Sequence, residues 1–121
     1  MLYPKHYQDS LTNSMDYWNA QARALDWFTF PAQTLSLDEE NLARWYAGGT
    51  LNTSYLCLDY HVKNGRADQL ALIYDSPVTD TKATYTYREL LAETARFAGV
   101  LQQQGIAKGD RVIIYMPMIP Q

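Results

Sequence analysis

The sequence predicts an α/β chain: an N-terminal helical extension, then a partial sheet with one βαβ crossover. Three observations carry this. Thr84 to Tyr87 has strand character, and Thr86 with Glu89 three residues later forms a capping-box pattern at the start of a helix. Leu90, Thr94, Phe97 and Leu101 then recur at helical spacing, and Gly105 stands where a left-handed residue ends a helix. Arg111 to Met116 is an apolar, β-branched run stopped by Pro117, which cannot donate to a sheet ladder. Strand, helix and strand make one βαβ unit, a crossover between parallel strands that is nearly always right-handed.

From the start of the chain, Met1 to Thr12 is a tyrosine-rich lead with little period. Ser14 is positioned to cap a helix from Met15 to about Leu25, with Met15, Trp18, Ala22 and Leu25 along one face. Asp26 to Leu35 is expected as extended loop, broken at Pro31. Ser36 and Glu39 repeat the capping-box pattern and predict a helix from Leu37 to about Ala47, ended by Gly48-Gly49. In it Leu42, Trp45 and Tyr46 form the apolar side, and Glu40 and Arg44 lie one turn apart.

Leu51 to Lys63 fits a further helix capped by Asn52 or Thr53 and closed by Asn64-Gly65. Leu70 to Asp75 is a buried-strand run, and with the Thr84 strand it can form an antiparallel hairpin. Lys108-Gly109-Asp110 is a turn. The pattern changes near Arg66 to Gln69 from helices and loops to alternating strand and helix, which divides the chain into 1–66, the helical extension, and 67–121, the first α/β elements.

Composition bounds the function. A chain of 121 residues can bury roughly two-thirds of its unfolded surface. With 47% hydrophobic and 19% charged residues it belongs among globular chains. A net charge of −3 offers no basic footprint for nucleic acid. The longest apolar run is far short of the roughly 20 residues of a membrane helix. The single cysteine, Cys57, rules out an intrachain disulfide and suits a reducing compartment. With no apolar signal core or Arg/Ser-rich transit segment at the N-terminus, a cytoplasmic-type protein is expected, with a mitochondrial matrix as the alternative. Ten tyrosines and a terminal strand without a covering helix point to the front part of a larger protein.

No residue set forms a catalytic constellation. Asp59 and His61 are two apart and do not share a helix face. His6 has no second ligand at zinc spacing. Cys57 lies on an apolar segment and is expected to be a small buried hydrophobe. Asp38-Glu39-Glu40 suits the first turn of a helix and needs no other role. Gly105-x-x-x-Gly109 is a helix stop and a turn, not a phosphate loop.

Four stretches in order extend the reading: Tyr17-Trp18 followed by Ala24-Leu25-Asp26-Trp27; Arg44-Trp45-Tyr46-Ala47-Gly48-Gly49-Thr50-Leu51-Asn52; Tyr85-Thr86-Tyr87-Arg88-Glu89-Leu90; and Gly105 through Met118. Together they resemble the N-terminal region of the short-chain AMP-forming acyl-CoA synthetases, the acetyl- and propionyl-CoA synthetases. Ala71 to Thr79 looks closer to the propionyl type. The resemblance implies the start of the large domain of adenylate-forming enzymes. It also implies a parent that joins a short carboxylate to ATP as an acyl-adenylate and then passes the acyl group to CoA. ATP, Mg and CoA are thus implied for the parent. The phosphate loop, Mg carboxylate, acyl pocket and CoA arginines of the family all lie beyond Gln121. No catalytic, cofactor-binding or metal residue of the family therefore maps onto 1–121, and the chain alone is expected to be inactive. Leu56 and Tyr60 stand where the family usually has Asn and Arg, a departure beside Asp59 and His61. The expected partners are the remainder of the parent chain and, through unpaired strand edges, other copies of this chain. A stand-alone interaction module on the same scaffold is the alternative.

Overall fold

A computed structural model describes residues 3–120 and divides them into two compact units, the division falling between Leu56 and Cys57. The first unit opens with helices α1, Tyr3–Thr12, and α2, Ser14–Arg23. The first was not expected. No apolar stripe marks it, but Tyr3 stacks on Tyr7 at helical spacing, with ring centroids 6.3 Å apart. Asn13 links the helices: its N–H donates to the Asp9 carbonyl at 3.0 Å and its own carbonyl accepts from Tyr17 N–H at 2.9 Å. Ser14 is thus the first residue of α2 rather than its cap. Of the face expected from α2 onward, Ala22 is buried, while Met15, Trp18 and Leu25 stay exposed.

The helix expected over Leu37 to Ala47 is instead a small antiparallel hairpin. Strand β1, Leu35–Leu37, pairs with β2, Ala43–Trp45, in the register Leu35↔Trp45, Ser36↔Arg44 and Leu37↔Ala43. The Asp38 side chain explains the difference. Its Oδ1 accepts from Glu40 N–H at 3.0 Å and Leu42 N–H at 2.8 Å, and its Oδ2 takes Arg44 Nε–H at 2.7 Å. A carboxylate folded onto its own backbone in this way competes with the helix and wins where the chain can turn. Asn41, at φ 59°, supplies the left-handed residue of that turn. Ser36 sits in the ladder and caps nothing, and Arg44 pairs with Asp38 rather than Glu40.

The single helix expected from Leu51 is broken. Asn52 caps it as foreseen, its Oδ1 accepting Tyr55 N–H at 3.0 Å. Helix α3, Thr53–Cys57, ends at Leu58, whose φ of −125° and ψ of −69° are not helical, and one further turn, α4, Asp59–His61, follows. Val62–Arg66 then forms a wide turn with Gly65 at φ 79°.

In the second unit, strands β3, Leu70–Ser76, and β4, Thr81–Thr86, form the expected antiparallel hairpin. A bulge separates Leu70 from Leu72. Lys82 meets Asp75 across the strands at 2.9 Å, where the two are direct neighbours. Helix α5, Tyr87–Gln103, starts from a complete capping box. Glu89 N–H donates to Thr86 Oγ1 at 3.3 Å, and Thr86 N–H donates to Glu89 Oε2 at 2.8 Å. The helix packs on both strands, with Tyr87, Leu90, Leu91, Thr94 and Leu101 half-buried. It ends in a Schellman motif. Ile106 N–H donates to the Leu101 carbonyl, Gly105 N–H to that of Gln102, and Gly105 has φ 83°. Phe97, expected on the buried stripe, is 62% exposed. At 100° per residue the half-buried Leu90, Leu101, Thr94, Tyr87 and Leu91 fill an arc of about 100°, and Phe97 lies about 20° outside its Leu90 rim, because a two-stranded hairpin covers only a narrow part of the helix.

Arg111 to Met116, expected as the second strand of a βαβ crossover, has no ladder partner among the described residues and so is not a strand. A strand forms only against a neighbour, and the paired strands of the second unit, β3 and β4, are antiparallel. Ile113 is 89% exposed, Ile114 80% and Tyr115 99%. Among the described residues the buried side chains are Ala22, Pro31, Leu58 and Ala67 alone. Both units thus rest on half-buried aromatic and aliphatic contacts rather than on a sealed core.

Candidate functional site

The sequence leaves two side-chain clusters to be judged, one in each unit. In the first, the Arg44-to-Asn52 stretch turns back after β2 through Tyr46, at φ 54°, and Gly48, at φ 77°. This brings Trp45 and Tyr46 against Trp18 in an apolar notch. The Trp18 and Trp45 ring centroids lie 6.0 Å apart, edge to face, and those of Trp45 and Tyr46 5.9 Å apart. The Tyr46 hydroxyl donates to the Trp18 carbonyl at 3.1 Å. Behind the notch, Trp27 packs on Tyr46 with centroids 5.6 Å apart and donates its indole N–H to the Ala22 carbonyl at 2.7 Å. Gly49 is there because nothing larger fits: a Cβ on it would lie 2.8 Å from the Trp27 ring and 3.0 Å from the Tyr46 carbonyl oxygen. The one ionisable group lining the notch, the Tyr46 hydroxyl, is engaged with backbone. The arrangement packs; it does not supply an acid, a base or a nucleophile.

In the second unit, the wide turn after α4 brings Arg66 back to His61. Arg66 Nη1 lies 3.1 Å from His61 Nδ1. A guanidinium can only donate, so Nδ1 accepts and the ring proton of neutral His61 sits on Nε2. The His61 ring lies 4.6 Å from that of Tyr87, the first residue of α5, and the Arg66 guanidinium stands 5.3 Å from the centre of the Tyr87 ring. Arg66 Nε also donates to Gln69 Oε1 at 2.8 Å. The partner of His61 is therefore Arg66, five residues on, and not Asp59. The cluster clamps the turn onto the start of α5, and backbone bonds from Tyr87 to Gln69 and from Arg88 to Ala67 reinforce it.

The remaining candidates fall on separate elements. His6 lies on α1 with its ring 6.1 Å from that of Tyr17. Cys57 is exposed, not buried: Leu58 beside it takes the buried position where α3 breaks. Two carboxyl groups are held below their ordinary range. For Asp38 the main cause is the Leu42 N–H, helped by Arg44 and the Glu40 N–H. For Glu89 it is the Thr86 N–H, helped by the Thr86 hydroxyl. Both are explained by the turn and the cap that they hold.

Lys108-Gly109-Asp110 is a turn as expected, with Asp110 Oδ2 accepting Ala107 N–H at 2.7 Å. A Cβ on Gly105 or Gly109 would meet nothing within 4 Å, so neither glycine lines a cradle that a phosphate would fill. Among the described residues no three His, Cys, Asp or Glu side chains are placed to hold a metal ion.

Comparison with known proteins supplies what the side chains alone do not. Residues 3–57 match the family model for the acetyl-coenzyme A synthetase N-terminus, and residues 58–121 match that for AMP-binding enzymes. The chain belongs to the AMP-binding enzyme family, as an N-terminal segment of its short-chain acyl-CoA synthetase branch. Among its relatives is the human protein named acyl-CoA synthetase short-chain family member 3, mitochondrial, which is 45% identical over 98% of this chain and 17% of its own length. An uncharacterized protein of Pseudomonas aeruginosa is 48% identical over all of this chain and 19% of its own length. An acetyl-coenzyme A synthetase of Syntrophus aciditrophicus is 41% identical over 99% of this chain, again 19% of its length. The chain thus spans less than a fifth of the length of these relatives. Among the described residues no helix is long and apolar enough to cross a membrane.

Proposed function

We propose that this chain is the supporting front part of an enzyme that activates propionate or acetate with ATP to an acyl-adenylate and transfers the acyl group to CoA. Residues 1–66 serve as its N-terminal extension and 67–121 as the first elements of its large domain. ATP, Mg and CoA bind outside residues 1–121, and no side chain in this range acts in catalysis. In the complete domain, Arg111 to Met116 becomes a strand parallel to its neighbours, closing the βαβ crossover through α5. The parent works in the cytoplasm or the mitochondrial matrix.

One observation carries this reading: the two consecutive family matches, which together run from residue 3 to residue 121. The exposed run from Ile113 to Tyr115 supports it, since that surface suits burial by further chain. The test is carboxylate-dependent exchange of pyrophosphate into ATP. The 121-residue chain is expected to give none, with either acid. A chain extended to the length of the relatives is expected to give it, with a preference between propionate and acetate that names the substrate. Exchange by the short chain, or none by the long one with any short carboxylate, overturns the reading.

A further inference from the structure

Arg111-Val-Ile-Ile-Tyr-Met116 combines features seldom left open on a protein surface. Val112, Ile113 and Ile114 are β-branched and Tyr115 is aromatic, the side chains that favour strands. The run holds one charge and no proline. Ile113, Ile114 and Tyr115 are almost wholly exposed, and among the described residues the backbone from Arg111 to Tyr115 is paired with no strand. Six-residue runs of this kind, when exposed, pair with copies of themselves. We propose that in the 121-residue chain this run pairs, antiparallel, with the same run of a second copy.

The charge on the run decides the direction. A parallel, in-register pair would set Arg111 beside Arg111, and like charges directly opposite destabilise a sheet. The antiparallel arrangement places Arg111 opposite Met116, Val112 opposite Tyr115 and Ile113 opposite Ile114. The two guanidinium groups then sit at opposite ends, about 17 Å apart along the strands. Pro117, which has no N–H, bounds the ladder at each end. The chain's net charge of −3 is too small to hold copies apart at high concentration. Two strands alone are marginal, so further copies add at the free edges and association steepens with concentration. The inference rests on the strand character assigned to this run above, and not on the reaction assigned to the parent.

Sedimentation of the purified chain across a wide concentration range tests it. The chain is expected to self-associate, and Ile113→Lys is expected to raise the midpoint concentration by at least about tenfold, since the introduced ammonium enters the pair twice. Because Ile113 is exposed, far-UV circular dichroism of the variant should match the parent spectrum. Leu37→Lys, at the exposed end of strand β1, should leave association unchanged. Direction is read from spin labels on Met116→Cys in a Cys57→Ser background, where antiparallel pairing places them about 17 Å apart along the strands. A monomer at every concentration, association lost on Leu37→Lys but kept on Ile113→Lys, or labels in direct contact as parallel pairing requires, would each overturn the proposal. The pyrophosphate exchange of a longer chain can fail without touching any of these readouts.

Discussion

Gly49 and Gly48 are adjacent, yet their substitutions should differ in mechanism. Alanine at Gly49 drives a methyl group into the Trp27 ring and the Tyr46 carbonyl, with the Pro31 Cβ 3.1 Å away on another side. Overpacking of this kind costs about 1–3 kcal/mol. At Gly48 a methyl group would meet nothing within 4 Å, and the penalty is that of a left-handed residue at φ 77°, about 1–2 kcal/mol. Thermal melts should therefore show both variants destabilised. The near-UV signal of the tryptophans should change with Gly49→Ala and stay as it is with Gly48→Ala. An unchanged melt for Gly49→Ala would mean that the Trp27 ring does not pack against the turn. Asp38 gives a second test at this scale. Its carboxyl is held low by Leu42 N–H, Arg44 and Glu40 N–H. A depressed folded value stabilises the hairpin above the ordinary carboxylate range, near pH 4, and that contribution is lost as pH falls through the folded value. Melting temperature should thus drop on acidification below about pH 4, and Asp38→Asn should flatten that part of the profile. The same sign holds for Glu89, held low by Thr86 N–H.

Among the elements, α5 depends most visibly on its ends. Thr86→Ala removes the hydroxyl that accepts Glu89 N–H and should cost about 1 kcal/mol, read as a lower melting temperature of the second unit. A spectrum and melt identical to the parent would mean that the box contributes nothing in solution. This helix, its capping box, its Gly105 stop and the β3–β4 hairpin were legible in the sequence because each is fixed by residues within a few positions of one another. What stayed hidden had other causes. Helix α1 is held by a Tyr3–Tyr7 stack, which an apolar periodicity search does not register. The Ser36–Glu39 pattern promised a helix, but Asp38 offered the same backbone a tighter turn, and the competition between the two is invisible to a motif. His61 found Arg66 across a non-helical turn at Gly65, a spacing that no regular element would bring together. At the site level, the reading that Asp59 and His61 form a poor dyad followed from helix geometry alone. The family matches then supplied the membership that no side chain here declares.

At the scale of the whole molecule, the contrast between α5 and its surroundings makes the sharpest test. Phe97 carries a large ring on a helix that packs well on one side, yet 62% of that residue is open to water. In the 121-residue chain Phe97→Ala should then shift stability by no more than about 0.5 kcal/mol, the usual range for a surface position. If α5 is the crossover helix of a larger parallel sheet, its second flank is covered once the following strands and helices are present. The same substitution in a chain of the relatives' length should then cost about 3–5 kcal/mol, because it empties space that other side chains have closed around. Urea titration of both pairs of proteins reads the difference directly, as a shift in midpoint at constant slope. Equal, small effects in the short and long chains would leave α5 exposed in both, and Arg111 to Met116 could not then be the strand that completes its crossover. A large effect confined to the long chain would place Phe97 at a seam between this segment and the added residues.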